Sequence, residues 1–307
     1  MAEKNNFKEL PTVEELSKIV TEIENADFSL LSYNKLISKL RSFRFIPFPI
    51  AKLNKGYHIE RARINKPDEI FKSEREISYR TDYENILEFG RANAPKNSLF
   101  YGAIESDAIK HPRLVNLLET SEIFRNLHKT QVDKADFVMT LGKWRIKDSI
   151  DVAEVVFDEQ SINNSEDVKK SFEFHKETFQ REIPDNIDQF ELILKFFSSE
   201  FAKKPEKIKN HFDYMVSAAY TDLAINMKGL QGIKFPSVRT DYQGHNIVLT
   251  RQAVENNLEL EIAAMFRVFK DGERTIVSTL KHATDFGHLN TNFNWVDVED
   301  KTSELEP

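Results

Sequence analysis

Apolar residues recur at helical spacing from the start of the chain: Val13, Leu16, Val20 and Ile23 follow a T-x-x-E capping box made by Thr12 and Glu15. A second helix is predicted over Leu30 to Phe43, with Leu36, Ile37 and Leu40 on one face, and Pro47 and Pro49 stop it. The period then changes. GYHIERARI (56–64) alternates like a strand, which puts Arg61 and Arg63 on a shared face. FGRANAPKNSLFYGAI (89–104) reads as a turn followed by a strand. PRLVNLLETSEIFRN (112–126) reads as a helix with proline at its first position. ADFVMTLGKWRI and IDVAEVVF are predicted strands, Ser165 to about Met227 is predicted helical, and GIKFPSV and HNIVLT are strands again. Phe172, Phe190, Ile193, Phe197, Phe212 and Leu223 are the core candidates of the helical stretch. LELEIAAMFRVF and TIVSTLKHA flank KDGE as a closing hairpin. This order predicts an α+β fold with a helical layer between strand groups, residues 1–50 capping a later core as an N-terminal helical extension.

Composition narrows the classes. The 307 residues include 24 Phe and are 40% apolar, enough for a sizeable core. The net charge of −7 lacks the basic stripe of a duplex-binding protein, so no direct nucleic-acid partner is expected. No apolar run reaches the ~18 residues of a membrane helix. Without cysteine, disulfides, thiol catalysis and zinc–thiolate sites are excluded, and the chain reads as a soluble cytoplasmic protein. HATDFGH (282–288) fits no strong ligand spacing, so no metal is expected. Walker A, G-x-G-x-x-G and G-x-S-x-G motifs do not occur.

The candidate chemistry is a succession of short pieces. Arg61 and Arg63 can form a fork for phosphate or carboxylate oxygens. In GRAN, Gly90 allows a tight backbone and Asn93 can close a turn; Arg91 lies between them, and Tyr101 follows on the next strand. Glu119 sits in LVNLLETSEI as a carboxylate among apolar neighbours, with Glu122 and Glu105 as competitors for its role. FPSVRTDYQGHNIVLT (235–250) gathers Ser237, Arg239, Gly244 and Asn246 around one connection between two strands, more polar chemistry than a plain hairpin needs.

In this order, the pieces HIERARI, FGRANAPKN, LFYGA, LLETS and GIKFPSVRTDYQGHNIVL resemble the RES domain family, named for its Arg, Glu and Ser; VMTLGKWRIKDSIDVAEV resembles the strand pair after that family's glutamate helix. The likeness covers roughly residues 56–250, with ESDAIKHP as an extra stretch between Tyr101 and Glu119. It implies an ADP-ribosyltransferase-like fold of mixed sheets with a helical layer, and a RES-like catalytic domain over 51–300. It implies an NAD+ phosphorylase or glycohydrolase that cleaves the nicotinamide–ribose bond. NAD+ is then substrate rather than cofactor, phosphate or water is the second reactant, and the chain is the toxin of a pair restrained by an Xre-type antitoxin. Residue by residue, the resemblance makes Glu119, Arg61 and Ser237 catalytic, and gives NAD+ binding to Arg63, Arg91, Asn93, Tyr101 and Asn246. A protein ADP-ribosyltransferase and a non-catalytic binding module on the same fold stay open, as does whether residues 1–50 bind the antitoxin or form a homodimer.

Overall fold

The computed structural model describes residues 10–120, 134–204, 210–272, 274–286 and 292–305. In chain order the elements are α1 (Val13–Glu24), α2 (Tyr33–Leu40), β1 (Ile50–Leu53), β2 (His58–Ile64), α3 (Glu74–Ile77), β3 (Phe100–Ile104) and α4 (Pro112–Thr120). Next come β4 (Lys134–Ile146), β5 (Ile150–Glu154), α5 (Glu159–Asn164), α6 (Glu166–Glu182), α7 (Ile187–Phe201) and α8 (Met215–Lys228). The last are β6 (Gly232–Pro236), β7 (His245–Leu249), α9 (Arg251–Asn257), β8 (Leu258–Asp271), β9 (Arg274–Thr284) and β10 (Asn294–Leu305). The mixed α+β class is as the periodicity predicts. No helix among the described residues is long and apolar enough to cross a membrane.

The chain divides into two compact units. The first holds residues 1–51, 83–97 and 152–238. Its start follows the predicted chemistry: the Thr12 hydroxyl accepts from the Glu15 amide at 3.2 Å, and Glu15 reciprocates to the Thr12 amide at 2.8 Å. The second helix is shorter than its apolar pattern. Ser32 caps it, and a 3₁₀ turn at Arg41–Phe43 ends it. Phenylalanine fills this unit's core. Phe43 meets Phe196 and Phe197 edge-on, Phe45 stacks on Phe190, and Phe48 and Phe197 both stack on Tyr220. Burial drives Tyr220 upward in pKa, and its hydroxyl donates to the Pro47 carbonyl at 3.1 Å. Strand β5 runs parallel to β6, with Ala153 opposite Ile233 and Glu154 opposite Lys234.

The second unit holds residues 52–82, 98–151 and 239–307. Its strands lie in the order β7-β3-β2-β4-β8-β9-β10, antiparallel wherever two neighbours are paired in this run. The predicted closing hairpin is β8–β9, with Asp271 opposite Arg274. A further strand, β10, pairs with β9 and has no counterpart in the apolar pattern; its NWVDVED sequence is mostly polar. Helix α4 packs over β2 and β4: Leu117 joins Ala62, Met139, Leu141 and Val268 in one buried cluster. That packing fixes the position of Glu119.

Candidate functional site

The connection between β6 and β7 is shaped to receive α4. Residues Val238–Thr240 form a 3₁₀ turn, and Asp241 and Tyr242 then take positive φ of 49° and 68°. A buried aromatic residue in the left-handed region is a strained choice, and it needs surrounding structure to hold it. Tyr242 is 1% exposed, and the Thr240 hydroxyl accepts from the Gly244 amide at 2.8 Å. Gly244 is required by a close approach. A β-carbon there would lie 2.5 Å from Cγ2 of Val115 on α4 and 3.0 Å from the Thr240 hydroxyl. The extra stretch before α4 docks on the same turn, where the Ser106 hydroxyl donates to the Gln243 carbonyl at 2.7 Å.

From that contact the helix and the strand keep pace. Four helical residues rise about 6 Å and two strand residues about 6.8 Å. Val115 at Gly244 therefore brings Glu119 beside Asn246. The Asn246 amide donates to Glu119 Oε1 at 3.0 Å, and Arg239 Nε lies 3.4 Å from Glu119 Oε2. Both carboxylate oxygens are held, yet the Glu119 side chain keeps 31% exposure. Asn116 locks the helix to the sheet by donating to the Glu60 carbonyl at 2.8 Å. The result is an oriented, solvent-accessible carboxyl group fixed to a strand. Such a group can stabilise positive charge developing on a bound substrate.

Strand parity separates the remaining candidates of this unit. Asn246 lies opposite Ala103, and Ala103 opposite Glu60. Residues directly opposite in antiparallel strands share a face. Tyr101, Ala103, Asn246, Glu60 and Ala62 therefore share the face that α4 covers. Arg61 and Arg63 point to the other face, so the sheet does not bring their side chains together with Glu119. Arg61 donates through Nη1 to the Tyr101 carbonyl at 2.5 Å, and its guanidinium sits 5.3 Å from the Phe100 ring centre. Burial, reinforced by the neighbouring Arg63 cation, lowers its pKa to about 9, which still leaves it charged at neutral pH. Arg63 donates to the Glu76 carbonyl and lies 4.9 Å over the Phe71 ring, its pKa also lowered by burial. Both cations fasten the sheet to neighbouring backbone.

The other predicted residues belong to the first unit. Arg91 closes the C-terminal end of α7: it donates to the Phe201 carbonyl and, at 3.1 Å, to that of Lys203, and it lies 5.2 Å over the Tyr214 ring. GRAN is a tight turn, with the Gly90 amide donating to the Asn93 carbonyl at 2.9 Å. The Asn93 side chain donates to the Ala94 carbonyl at 3.2 Å. Ser237 is fully buried at the end of β6. Of the competitors for Glu119, Glu105 is exposed and pairs with Lys110 at 3.3 Å, and Glu122 lies outside the described residues. His288 of HATDFGH lies outside them as well.

Sequence reading gave Arg239 no role, although it stands in the same connection as Gly244. Its signal was a cation within seven residues of Asn246. Compared with protein-family models and with curated proteins, the chain finds no match in either, so the likeness to RES domains rests on its sequence motifs alone.

Proposed function

We propose that the chain is an NAD+-degrading enzyme on an ADP-ribosyltransferase-like fold, with Glu119 as its catalytic carboxylate. The observation that carries the reading is the hydrogen bond from Asn246 to Glu119, which joins two motif pieces 127 residues apart in sequence at 3.0 Å. In the reaction the bond between the ribose anomeric carbon and the nicotinamide nitrogen breaks. Its electron pair leaves with neutral nicotinamide, and positive charge builds on the ribose. An oxygen of phosphate or water then forms the new bond to the anomeric carbon and gives up its proton. Glu119 faces the oxocarbenium-like state and lowers its energy by proximity of charge. Asn246 keeps one carboxylate oxygen aimed, and Arg239 pairs with the other. Tyr101, on the same sheet face, supplies a ring for the nicotinamide side. The resemblance extends this reading to a toxin held in check by an Xre-type antitoxin.

The test is NAD+ loss on incubation with the purified protein, with and without phosphate, beside the Glu119→Gln variant. The expected result is loss in the wild type and a fall of at least about 100-fold in the variant, the range that removal of one charge-stabilising group produces. Dependence on phosphate assigns the nucleophile. No NAD+ loss by the wild type in either buffer, or full activity in the variant, overturns the proposal.

A further inference from the structure

Glu60 has no role in the motif reading, and its environment is unusual. It precedes Arg61 on β2 and points to the opposite face, the one shared with Tyr101, Asn246 and Glu119. In the row across three strands, Glu60, Ala103 and Asn246 stand side by side. The residue between the two polar ones is an alanine, fully buried, so only a methyl group separates them along the sheet. Two strand spacings put Glu60 and Asn246 roughly 10 Å apart at Cα.

The side chain of Glu60 is half-buried, but its Oε2 is wholly buried and, among the described residues, receives no hydrogen bond. Lys143, directly opposite it on β4, does not supply one. The Asn116 amide, which lies within reach of this residue, is committed instead to the Glu60 main-chain carbonyl at 2.8 Å and the Pro112 carbonyl at 3.2 Å. Buried acceptors without donors are uncommon and costly, and a carboxylate is the costliest kind. A replacement at this position could remove that cost and leave in place the bonds from Asn116 to the Glu60 and Pro112 carbonyls, which are main-chain groups. The orphan oxygen therefore lacks a donor among the described residues, on the same sheet face as the Glu119 carboxylate.

We infer that Glu60 is a second substrate-binding carboxylate of the Glu119 site, and that its half-buried carboxyl group accepts a hydrogen bond from a hydroxyl of the ribose whose glycosidic bond is cleaved. This rests on the NAD+-cleaving reading above. Glu119 meets the charge that develops at the anomeric carbon. Glu60 reads the sugar's hydroxyl edge and sets which pentosyl substrates bind.

The experiment measures KM and kcat of wild type and Glu60→Gln with NAD+ and with two analogues that lack the 2′- or the 3′-hydroxyl of the nicotinamide ribose. It also records the unliganded melting temperature of each protein. A hydrogen bond to a charged group predicts a KM for NAD+ raised roughly 10- to 100-fold in Glu60→Gln, with a smaller change in kcat. The wild type's penalty for one of the two analogues should shrink by the same factor in the variant, because the deleted hydroxyl and the altered carboxylate are partners. The unliganded melting temperature should stay level or rise. A wild type that consumes NAD+ beside a Glu60→Gln variant with unchanged KM and unchanged discrimination overturns this assignment alone. A lowered melting temperature with equal losses on all three substrates also overturns it, because Glu60 then serves only the fold. A wild type that consumes no NAD+ overturns the functional reading, and this assignment with it.

Discussion

Two strand glutamates, one in each unit, are treated in opposite ways. Glu154 of β5 is 3% exposed and complete: Oε1 accepts from Lys234 Nζ at 2.7 Å and from the Ser171 hydroxyl at 3.1 Å, and Oε2 meets His175 Nε2 at 2.8 Å. Lys234 comes from the facing strand and Ser171 and His175 from one side of α6, four residues apart, so a single carboxylate ties helix to sheet. Glu60 of β2 is also drawn partly inside, yet among the described residues one of its oxygens receives no hydrogen bond. Burial alone raises a carboxyl's pKa. For Glu154 the Lys234 charge and the hydrogen bonds of His175 and Lys234 outweigh burial and hold the group down to about 2. A buried acid that the fold needs is fully partnered. One that is left short of donors calls for a separate explanation.

The largest expected effect breaks the complete member of this pair. Glu154→Gln leaves the Lys234 ammonium in a half-buried position without its counter-charge. Removal of one partner from a buried pair typically costs about 3 to 5 kcal/mol. Urea denaturation at neutral pH should show a loss of that order, and a loss below about 1 kcal/mol would mean that Glu154 is not the anchor of α6. The pH dependence gives a second reading. Folding lowers the carboxyl from its ordinary 4.5 to about 2, so its contribution is complete above the ordinary value and disappears as the pH falls through the folded one. The two values correspond to roughly 3 kcal/mol. Wild type should lose that much more stability than Glu154→Gln between those two pH values.

A smaller effect sharpens the site in the second unit. Gly244→Ala would push a methyl against Val115 Cγ2, which a β-carbon would approach to 2.5 Å. Valine is stiff about χ1, so α4 itself must move. Overpacking of this kind costs about 1 to 3 kcal/mol. A displacement of the Glu119 carboxylate by even about 1 Å can cost up to about 100-fold in rate. NAD+ turnover in Gly244→Ala should therefore fall further than its stability suggests, and the Val115→Ala replacement in the same chain should restore part of it by returning the space. Turnover that tracks melting temperature alone in both variants would show that the helix-to-turn spacing does not set the site.

These elements also show where the sequence stops being informative. Alternation in HIERARI correctly sets Arg61 and Arg63 on one face, because that is local geometry. Which face α4 would cover is decided by the pairing of β2 with β3 and of β3 with β7, elements far apart in sequence, and no local pattern encodes it. The capping box at Thr12, Pro112 at the start of α4, and the KDGE hairpin were legible because each is a short-range signal. Glu154 was not: in IDVAEVVF it interrupts an apolar strand by one residue, and its partners lie 17, 21 and 80 residues away. Strand β10 was missed because an outer strand needs no apolar alternation when its neighbour β9 supplies the pairing. Glu119 could be named from its motif, but Arg239 emerged as its partner only once the turn was folded.

The smallest expected effect lies on the exposed surface of β2, β4 and β8 and completes the contrast with Glu154. Here Glu261 takes Arg145 Nε at 2.5 Å and His58 Nε2 at 2.8 Å, and Arg145 also pairs with Glu259 at 2.5 Å. In drawing this is as rich a network as that of Glu154. The difference is water: the Glu261 and His58 side chains are each 36% exposed. Although the hydrogen bonds of His58 and Arg145 lower the Glu261 pKa despite some burial, solvent screens most of that interaction. Glu261→Gln should therefore change stability by less than about 1 kcal/mol, and the difference should shrink further at high salt, where the screening length falls to about 3 Å. Urea denaturation at low and high salt measures it against Glu154→Gln, whose loss should persist in salt because the ions cannot reach that carboxylate. A salt-insensitive loss of several kcal/mol at Glu261 would mean that the number of partners, and not their burial, determines what a strand carboxylate contributes.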